Sequence, residues 1–151
     1  MSEPATIAIG CDHGGFKLKS AVIDEIVELG YQVHDFGTDT AESVDYPDYA
    51  HPVSAAVAAG DMALGILICG TGIGMSIAAN KHRGIRASLC ADTFSARMTR
   101  AHNDANVLCL GERVTGPGLA RDIVRAFLTS EFEGGRHSRR VNKIEPIEGE
   151  N

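Results

Sequence analysis

The chain lacks the features that would assign it to a membrane, to secretion or to nucleic acid. No apolar run in its 151 residues is long enough to cross a bilayer. Residues Met1–Pro4 carry neither the basic nor the apolar region of a signal peptide, so a cytoplasmic location is expected. Positive charge is also scarce, because 20 acidic residues and 14 lysines and arginines leave a net charge of −6. This balance argues against nucleic acid as a partner.

Paired cysteines are missing as well. The four cysteines, Cys11, Cys69, Cys90 and Cys109, include no Cys-x-x-Cys pair, and the sequence has no clustered metal-ligand motif. Neither a zinc site nor a redox motif is therefore expected. Cys11, Cys90 and Cys109 fall at or near the ends of predicted strands, and we interpret them as buried free thiols.

The chain has neither an internal repeat nor a linker, and its length fits a single domain, residues 1–151. Apolar runs predict five strands: Thr6–Cys11, Tyr31–Phe36, Leu64–Cys69, Ile85–Cys90 and Asn106–Leu110. Helical spacing predicts six helices: Phe16–Leu29, about 48–59, about 73–82, Phe94–Ala101, Gly118–Leu128 and about 136–144. The acidic residues 145–151 are expected to fray.

Strands that alternate with helices predict a Rossmann-like three-layer α/β/α sandwich around a five-stranded parallel sheet. The expected strand order is 2-1-3-4-5, with strands one and three flanking the topological switch point. Ligands bind beyond the carboxyl ends of the strands at such a point. Asp12–His13, after strand one, and Cys69–Gly74, after strand three, are therefore expected to share one crevice.

The most informative stretch is Leu64–Ser76, an apolar run that breaks at Cys69 into three alternating glycines, Gly70, Gly72 and Gly74. A strand, a glycine-rich turn and a helix start direct backbone N–H groups at one point, which suits an anion. The same N–H groups would favour the thiolate form of Cys69. This thiol is therefore the candidate reactive group of the chain.

A partial dinucleotide-binding fingerprint is the competing interpretation of these glycines. Gly70-Thr71-Gly72 matches the first part of that motif, and Asp92 lies about twenty residues downstream, as the motif requires. Met75, however, stands where the third glycine belongs.

Other polar residues have both a chemical and a structural interpretation. Asp12 and His13 could serve as an acid, a base or a phosphate ligand, or Asp12 could simply cap the next helix. His102–Asp104 could carry chemistry or could cap a helix end. Tyr46 could contact a sugar or only pack a loop. The remaining histidines are interpreted as structural or surface residues: His34, His51 and His82.

A short basic stretch, Gly134–Arg140, stands out in this acidic chain. It is either a solvated helix face or a site for a small phosphorylated ligand, since arginine side chains match phosphate oxygens.

Together these motifs resemble the family of type B ribose-5-phosphate isomerases, which also includes the galactose-6-phosphate isomerases of the lactose pathway. The likeness runs in order from Ile7 to about Ile144. It rests on five stretches: Cys11–Lys19, Asp45–Pro47, Cys69–Gly74, His102–Asn106 and Gly134–His137.

The resemblance implies an aldose–ketose isomerase that acts on a phosphorylated sugar, with ribose 5-phosphate expected. Allose 6-phosphate, galactose 6-phosphate or a tetrose phosphate would fit the same catalytic set. It also implies that no metal or organic cofactor is needed. The family's active sites are shared across a homodimer, which could pair into a tetramer, and the helix at about 136–144 is expected at the dimer interface.

The resemblance also assigns roles to residues. Cys69 would remove the C2 proton, His102 would open the sugar ring, and Asp12 would assist proton movement, while Thr71 and Asn103 would donate hydrogen bonds. Sugar and anion-hole contacts would come from Asp12, His13, Tyr46, Gly70, Thr71, Gly72, Gly74 and Asn103. The phosphate would be held by His13, Arg113, Arg136, His137 and Arg140. Some family members lack the cysteine and use a glutamate a few residues later, but Met75 stands at that position here.

Overall fold

Five parallel strands form one sheet in the computed structural model, which describes residues 3–144. The strands are β1 (Thr6–Cys11), β2 (Gln32–Asp35), β3 (Leu64–Cys69), β4 (Ala87–Leu89) and β5 (Val107–Gly111). The helices are α1 (Phe16–Glu28), α2 (Pro47–Ala58), α3 (Ile73–Ala79), α4 (Thr93–Asn103), α5 (Pro117–Leu128) and α6 (Arg136–Asn142). The predicted fraying of residues 145–151 lies outside the described residues.

The predicted parallel sheet is confirmed, but the predicted order of its last two strands is wrong. The order is β2-β1-β3-β5-β4, so that β5 pairs with β3 and β4 lies at the edge. All five residues of β5 are buried, whereas the three residues of β4 are partly or fully exposed. A fully apolar strand is stable only when both faces are covered, which explains the inner position of β5.

Two buried clusters cover the two faces of the sheet and confirm the three-layer arrangement. Successive residues of a strand point to opposite faces. Thus Ile9 and Ile68 lie in the cluster that includes residues of α1, α4 and α5. Ala8 and Leu67 lie in the cluster that includes residues of α2 and α3. Within residues 3–144, no helix is long and apolar enough to cross a membrane.

Two helix ends differ from the prediction in ways that affect the site. Helix α3 ends at Ala79, earlier than expected. Helix α4 continues past Ala101 to Asn103 and ends at Asp104, which adopts a left-handed conformation with φ of 49°. His102 and Asn103 therefore belong to the last helical turn, and Asp104 is held there by Arg100 at 3.1 Å.

Candidate active site

The turns that follow β1, β3 and β5 are joined by backbone hydrogen bonds at the carboxyl edge of the sheet. The N–H of Asp12 donates to the carbonyl of Ile68 (3.2 Å). The N–H of Glu112 donates to the carbonyl of Cys69 (2.9 Å), and that of Arg113 to Gly70 (3.0 Å). The crevice expected from topology thus brings together Asp12–His13, the glycine turn and Arg113.

Cys69 is the last residue of β3, and its side chain is almost fully buried, at 5% exposure. The N–H of Gly72 donates a hydrogen bond of 3.1 Å to its Sγ atom. The sulfur therefore contacts the backbone of the glycine turn, at the carboxyl end of β3.

The other three cysteines lack this arrangement and fit the predicted role of buried thiols. Burial raises the pKa of Cys11 to about 11. Burial also raises the pKa values of Cys90 and Cys109. These groups stay protonated near neutral pH, so they offer neither a base nor a nucleophile.

Gly72 occupies a position that only glycine fits. Its φ of 82° is left-handed, and it is the N-cap residue of α3. A Cβ atom here would lie 2.5 Å from Cδ1 of Leu89 and 3.0 Å from the carbonyl carbon of Leu110. The tight packing holds the Gly72 N–H against the sulfur of Cys69.

Asp12 is buried at 7% exposure and accepts a hydrogen bond of 2.8 Å from the N–H of Gly14. It closes the turn before α1, whose N-cap residue is Gly15. A Cβ on Gly14 would lie 3.0 Å from the nitrogen of Gly70. The Asp12 carboxylate is thus held beside the glycine turn, and one of its oxygens already accepts the Gly14 N–H.

His13 is oriented by the loop that precedes α2. Its Nδ1 accepts a hydrogen bond of 3.1 Å from the N–H of Val44. Because Nδ1 is the acceptor, a neutral His13 carries its proton on Nε2. The ring therefore offers an N–H donor suited to a phosphate oxygen.

Tyr46 and Arg113 border the glycine turn. A Cβ on Gly74 would lie 2.8 Å from the Tyr46 ring, so the ring packs directly on the backbone of that glycine. A Cβ on Gly70 would lie 3.3 Å from Nη1 of Arg113, which brings a guanidinium to the start of the turn. The hydroxyl oxygen of Thr71 accepts the Ile73 N–H (3.2 Å), and its own hydrogen remains to be donated.

A second group of predicted site residues lies at the opposite edge of the sheet. Helix α4 leaves the carboxyl end of β4 and returns to the start of β5, so its last turn carries His102 and Asn103 to the amino edge. The N–H of Gly65, near the start of β3, donates to the carbonyl of Asn106 there. At ~3.3 Å per residue the two ends of β3 are about 17 Å apart. One chain therefore does not bring His102 to its own Cys69.

The second group is built around two stacked imidazoles. The rings of His102 and His137 are 4.2 Å apart between centroids and inclined by only 7°. Oε1 of Glu133 lies 3.6 Å from Nε2 of His102 and 3.7 Å from Nε2 of His137. Arg136 and Arg140 come from the same helix, α6, as His137.

The electrostatics of this group favour an anion. Burial lowers the pKa of His137, and His102, Arg136 and Arg140 lower it further, while Glu133 opposes them. The donor atoms of His102, Glu133 and His137 lie within 4.8 Å of one another, a spacing that could hold a metal ion. The nearby guanidinium groups disfavour a cation and suit a phosphate instead.

Asn103 also lines a cavity of about 540 Å³ beside β4, together with Thr99, Ser88 and other residues. This cavity belongs to the amino-edge group and does not include Cys69. Among the residues that sequence reasoning missed, Glu133 is the most informative. Its position four residues before His137 was the available signal, since such pairs share a helix face or a turn.

The dinucleotide interpretation of the glycine turn does not fit the structure. Asp92 is the N-cap of α4, and its Oδ1 accepts the N–H of Ser95 (2.6 Å). It follows β4, which β5 separates from β3. Met75, at the position of the third glycine, is fully buried in the core.

Comparisons with known proteins agree with the resemblance in the sequence. A family model described as Ribose/Galactose Isomerase matches residues 7–144. Ribose-5-phosphate isomerase B of Escherichia coli is 54% identical over 142 residues, which cover 94% of this chain and 95% of that protein. D-erythrulose-4-phosphate isomerase of Pectobacterium atrosepticum is 47% identical over 140 residues, 92% of each protein. The structure of Clostridium thermocellum ribose-5-phosphate isomerase B superposes with a TM-score of 0.90 at 57% identity, covering 92% of this chain and 94% of that one.

Proposed function

This chain belongs to the ribose/galactose isomerase family and is an isomerase, and from that premise we propose that it interconverts ribose 5-phosphate and ribulose 5-phosphate. The observation that carries the proposal is the Cys69 sulfur, which accepts the Gly72 N–H at the crevice where three strands end. Aldose–ketose isomerisation needs a base that is held beside a site for developing negative charge.

In the proposed reaction, the Cys69 thiolate removes the proton from C2 of the open-chain sugar. The electrons move to the carbonyl oxygen and form a cis-enediolate, and the proton then returns to C1. The sugar gains and loses no electrons overall, so the reaction requires no redox cofactor. Thr71, Asn103 and backbone N–H groups of the glycine turn donate hydrogen bonds to the enediolate oxygens, and Asp12 assists proton movement between them.

Ring opening comes before this step. A base takes the proton of the anomeric hydroxyl, the bond from C1 to the ring oxygen breaks, and the ring oxygen gains a proton. We assign this transfer to His102, whose side chain is 38% exposed and so is open to a ligand. Tyr46, on the carboxyl-edge side, contacts the sugar.

The phosphate group is assigned to basic residues from both edges of the sheet. His13 and Arg113 lie beside the glycine turn, and Arg136, His137 and Arg140 lie on or at the start of α6. The Nε2–H of His13 is suited to one phosphate oxygen, and guanidinium groups bind phosphate through paired N–H donors. This assignment explains a basic stretch in a chain of net charge −6.

We propose that a homodimer completes the site, because the two groups lie at opposite edges of one sheet. A two-fold axis would bring the carboxyl edge of one protomer to the amino edge of its partner and would create two equal sites. Exposed apolar side chains on α3 and at the start of α4 support such a contact, since Ile73, Ile77 and Phe94 are each more than half exposed. The dimer places α6 at the interface and could pair into a tetramer.

A cytoplasmic location belongs to the same proposal. Cys11, Cys69, Cys90 and Cys109 are all free thiols, as expected in a reducing compartment.

The test is conversion of ribose 5-phosphate by the wild-type chain and by Cys69→Ala. The wild-type protein is expected to convert the pentose, and the variant is expected to lose at least about a hundredfold in kcat, as removal of a general base does. Cys109→Ala is the matched control, since it removes a buried thiol of the neighbouring strand. Full activity of Cys69→Ala would exclude the thiolate mechanism.

Other sugar phosphates should be tested in the same assay, because a relative that is 47% identical is a D-erythrulose-4-phosphate isomerase. Tetrose 4-phosphates and hexose 6-phosphates should be compared with ribose 5-phosphate by kcat/KM. A much higher value for one of them would replace the substrate and leave the mechanism unchanged.

A further inference from the structure

Glu133 is fixed beside His102 although it lies thirty-one residues later in the sequence. Its backbone N–H donates a hydrogen bond of 3.0 Å to the carbonyl of Ala101, the residue before His102. Its carboxylate Oε1 lies 3.6 Å from Nε2 of His102. The segment between α5 and α6 is thus tied to the last turn of α4.

The same carboxylate oxygen also faces Nε2 of His137, which the stacking of the two rings brings close to His102. His137 is buried at 6% exposure, and its Nε2 has no hydrogen-bond partner among the described residues. Two imidazoles therefore face one carboxylate oxygen, and they compete for its electrostatic stabilisation.

The two rings differ in exposure. Burial, together with His102 and Arg136, keeps the pKa of His137 below its usual value. The side chain of His102 is 38% exposed, so this is the ring that a sugar can reach. His137 thus backs the ring of His102, whose Nε2 faces the Glu133 carboxylate.

We propose that Glu133 is a positioning residue for ring opening: its carboxylate holds the His102 imidazole in orientation and keeps a proton on Nε2. This inference rests on the role of His102 in the proposed function. With the proton on Nε2, the Nδ1 lone pair is free to accept the proton of the anomeric hydroxyl. That proton leaves the hydroxyl, the C1 carbonyl forms as the bond to the ring oxygen breaks, and the ring oxygen receives a proton.

The experiment separates ring opening from enediolate chemistry. Ribulose 5-phosphate cannot form a five-membered ring, because its O5 carries the phosphate. Exchange of its C1 proton with D2O needs the base but no ring step, whereas conversion of ribose 5-phosphate to ribulose 5-phosphate must begin with opening of the furanose ring. Both rates should be followed by NMR for wild-type protein, Glu133→Gln and Glu133→Asp. Glu131→Gln is the control, since it removes an exposed carboxylate two residues away.

We expect Glu133→Gln to lose about tenfold or more in conversion, within the range for weakened general acid–base catalysis. Its C1 exchange should stay within about twofold of wild type, Glu133→Asp should recover part of the conversion, and Glu131→Gln should match wild type. The proposal is overturned if Glu133→Gln converts at the wild-type rate. It is also overturned if conversion and exchange fall together, whatever Glu133→Asp recovers.

Failure of the proposed function itself looks different. In that case the wild-type protein would not convert the pentose, or Cys69→Ala would keep both conversion and exchange. If His102→Ala converts at the wild-type rate, the role of His102 is wrong whatever Glu133 does.

Discussion

The N–H of Gly72 lies 3.1 Å from Sγ of Cys69 and donates a hydrogen bond to it. This N–H can point at the sulfur because Gly72 has a φ of 82°, a conformation that side chains disfavour. The turn and the thiol therefore depend on each other: a change that moves the backbone of Gly72 also removes the contact to Cys69.

Gly72→Ala is expected to lose both stability and activity. The left-handed φ alone costs roughly 1–3 kcal/mol for a residue with a Cβ. The added carbon also meets Leu89 and Leu110. Thermal unfolding and kcat should be measured together. Gly118→Ala is the control, since nothing lies within 4 Å of its Cβ, and in helix α5 it should stabilise the fold by about 0.5–1 kcal/mol. A Gly72→Ala protein as active as wild type would contradict this account of the turn.

Alkylation by iodoacetamide near pH 7 should modify Cys69 before the other three cysteines. Burial raises the pKa values of Cys11, Cys90 and Cys109, so those thiols remain protonated. Peptide mass spectrometry after short exposure identifies the modified residue. A sugar phosphate in the crevice should protect it. Labelling of Cys109 before Cys69 would contradict this order of reactivity.

The sequence predicts the elements of this fold well because the signals are local. The apolar run of β3 and the glycines after Cys69 need no knowledge of the rest of the chain. Strand order is a long-range property, and the order of β4 and β5 was predicted wrongly. Only the pairing of β5 with β3 shows that the short β4 belongs at the edge.

The candidate site was predictable for a similar reason, and only in part. Residues in turns after strands, such as Asp12 and Cys69, are brought together by topology alone. Glu133 has no motif of its own, and its contact with His102 depends on a hydrogen bond between two segments far apart in sequence. The position of His102 at the amino edge follows only once α4 is known to run from the carboxyl edge of the sheet to its amino edge.

A pair of histidines that joins α2 to the turn after α3 should make the fold less stable as the pH is lowered. Nδ1 of His51 lies 2.7 Å from Nε2 of His82. Burial, and then His51, lower the pKa of His82 below 6.5 in the folded state. The unfolded chain then binds a proton more readily, so stability is lost as the pH falls below 6.5 and is unaffected well above it.

His82→Gln should therefore make the melting temperature depend less on pH between about pH 5 and 7. Glutamine keeps the capacity to hydrogen-bond and cannot be charged. His34→Gln, an exposed histidine on β2, is the control and should keep the wild-type slope. If the slope of His82→Gln also equals that of wild type, the pair does not contribute to the acid sensitivity of the fold.

Mixed dimers test whether two chains share each active site. Cys69→Ala and His102→Ala homodimers each carry two defective sites, so both should be nearly inactive. When the two variants are unfolded together and refolded, half of the dimers pair one chain of each kind. In such a dimer one site combines the intact Cys69 of one chain with the intact His102 of the other, while the second site carries both defects. About a quarter of the wild-type activity should return, given random pairing in a two-fold dimer. Sites contained within a single chain would instead leave the mixture as inactive as its two components, because neither chain then holds both groups.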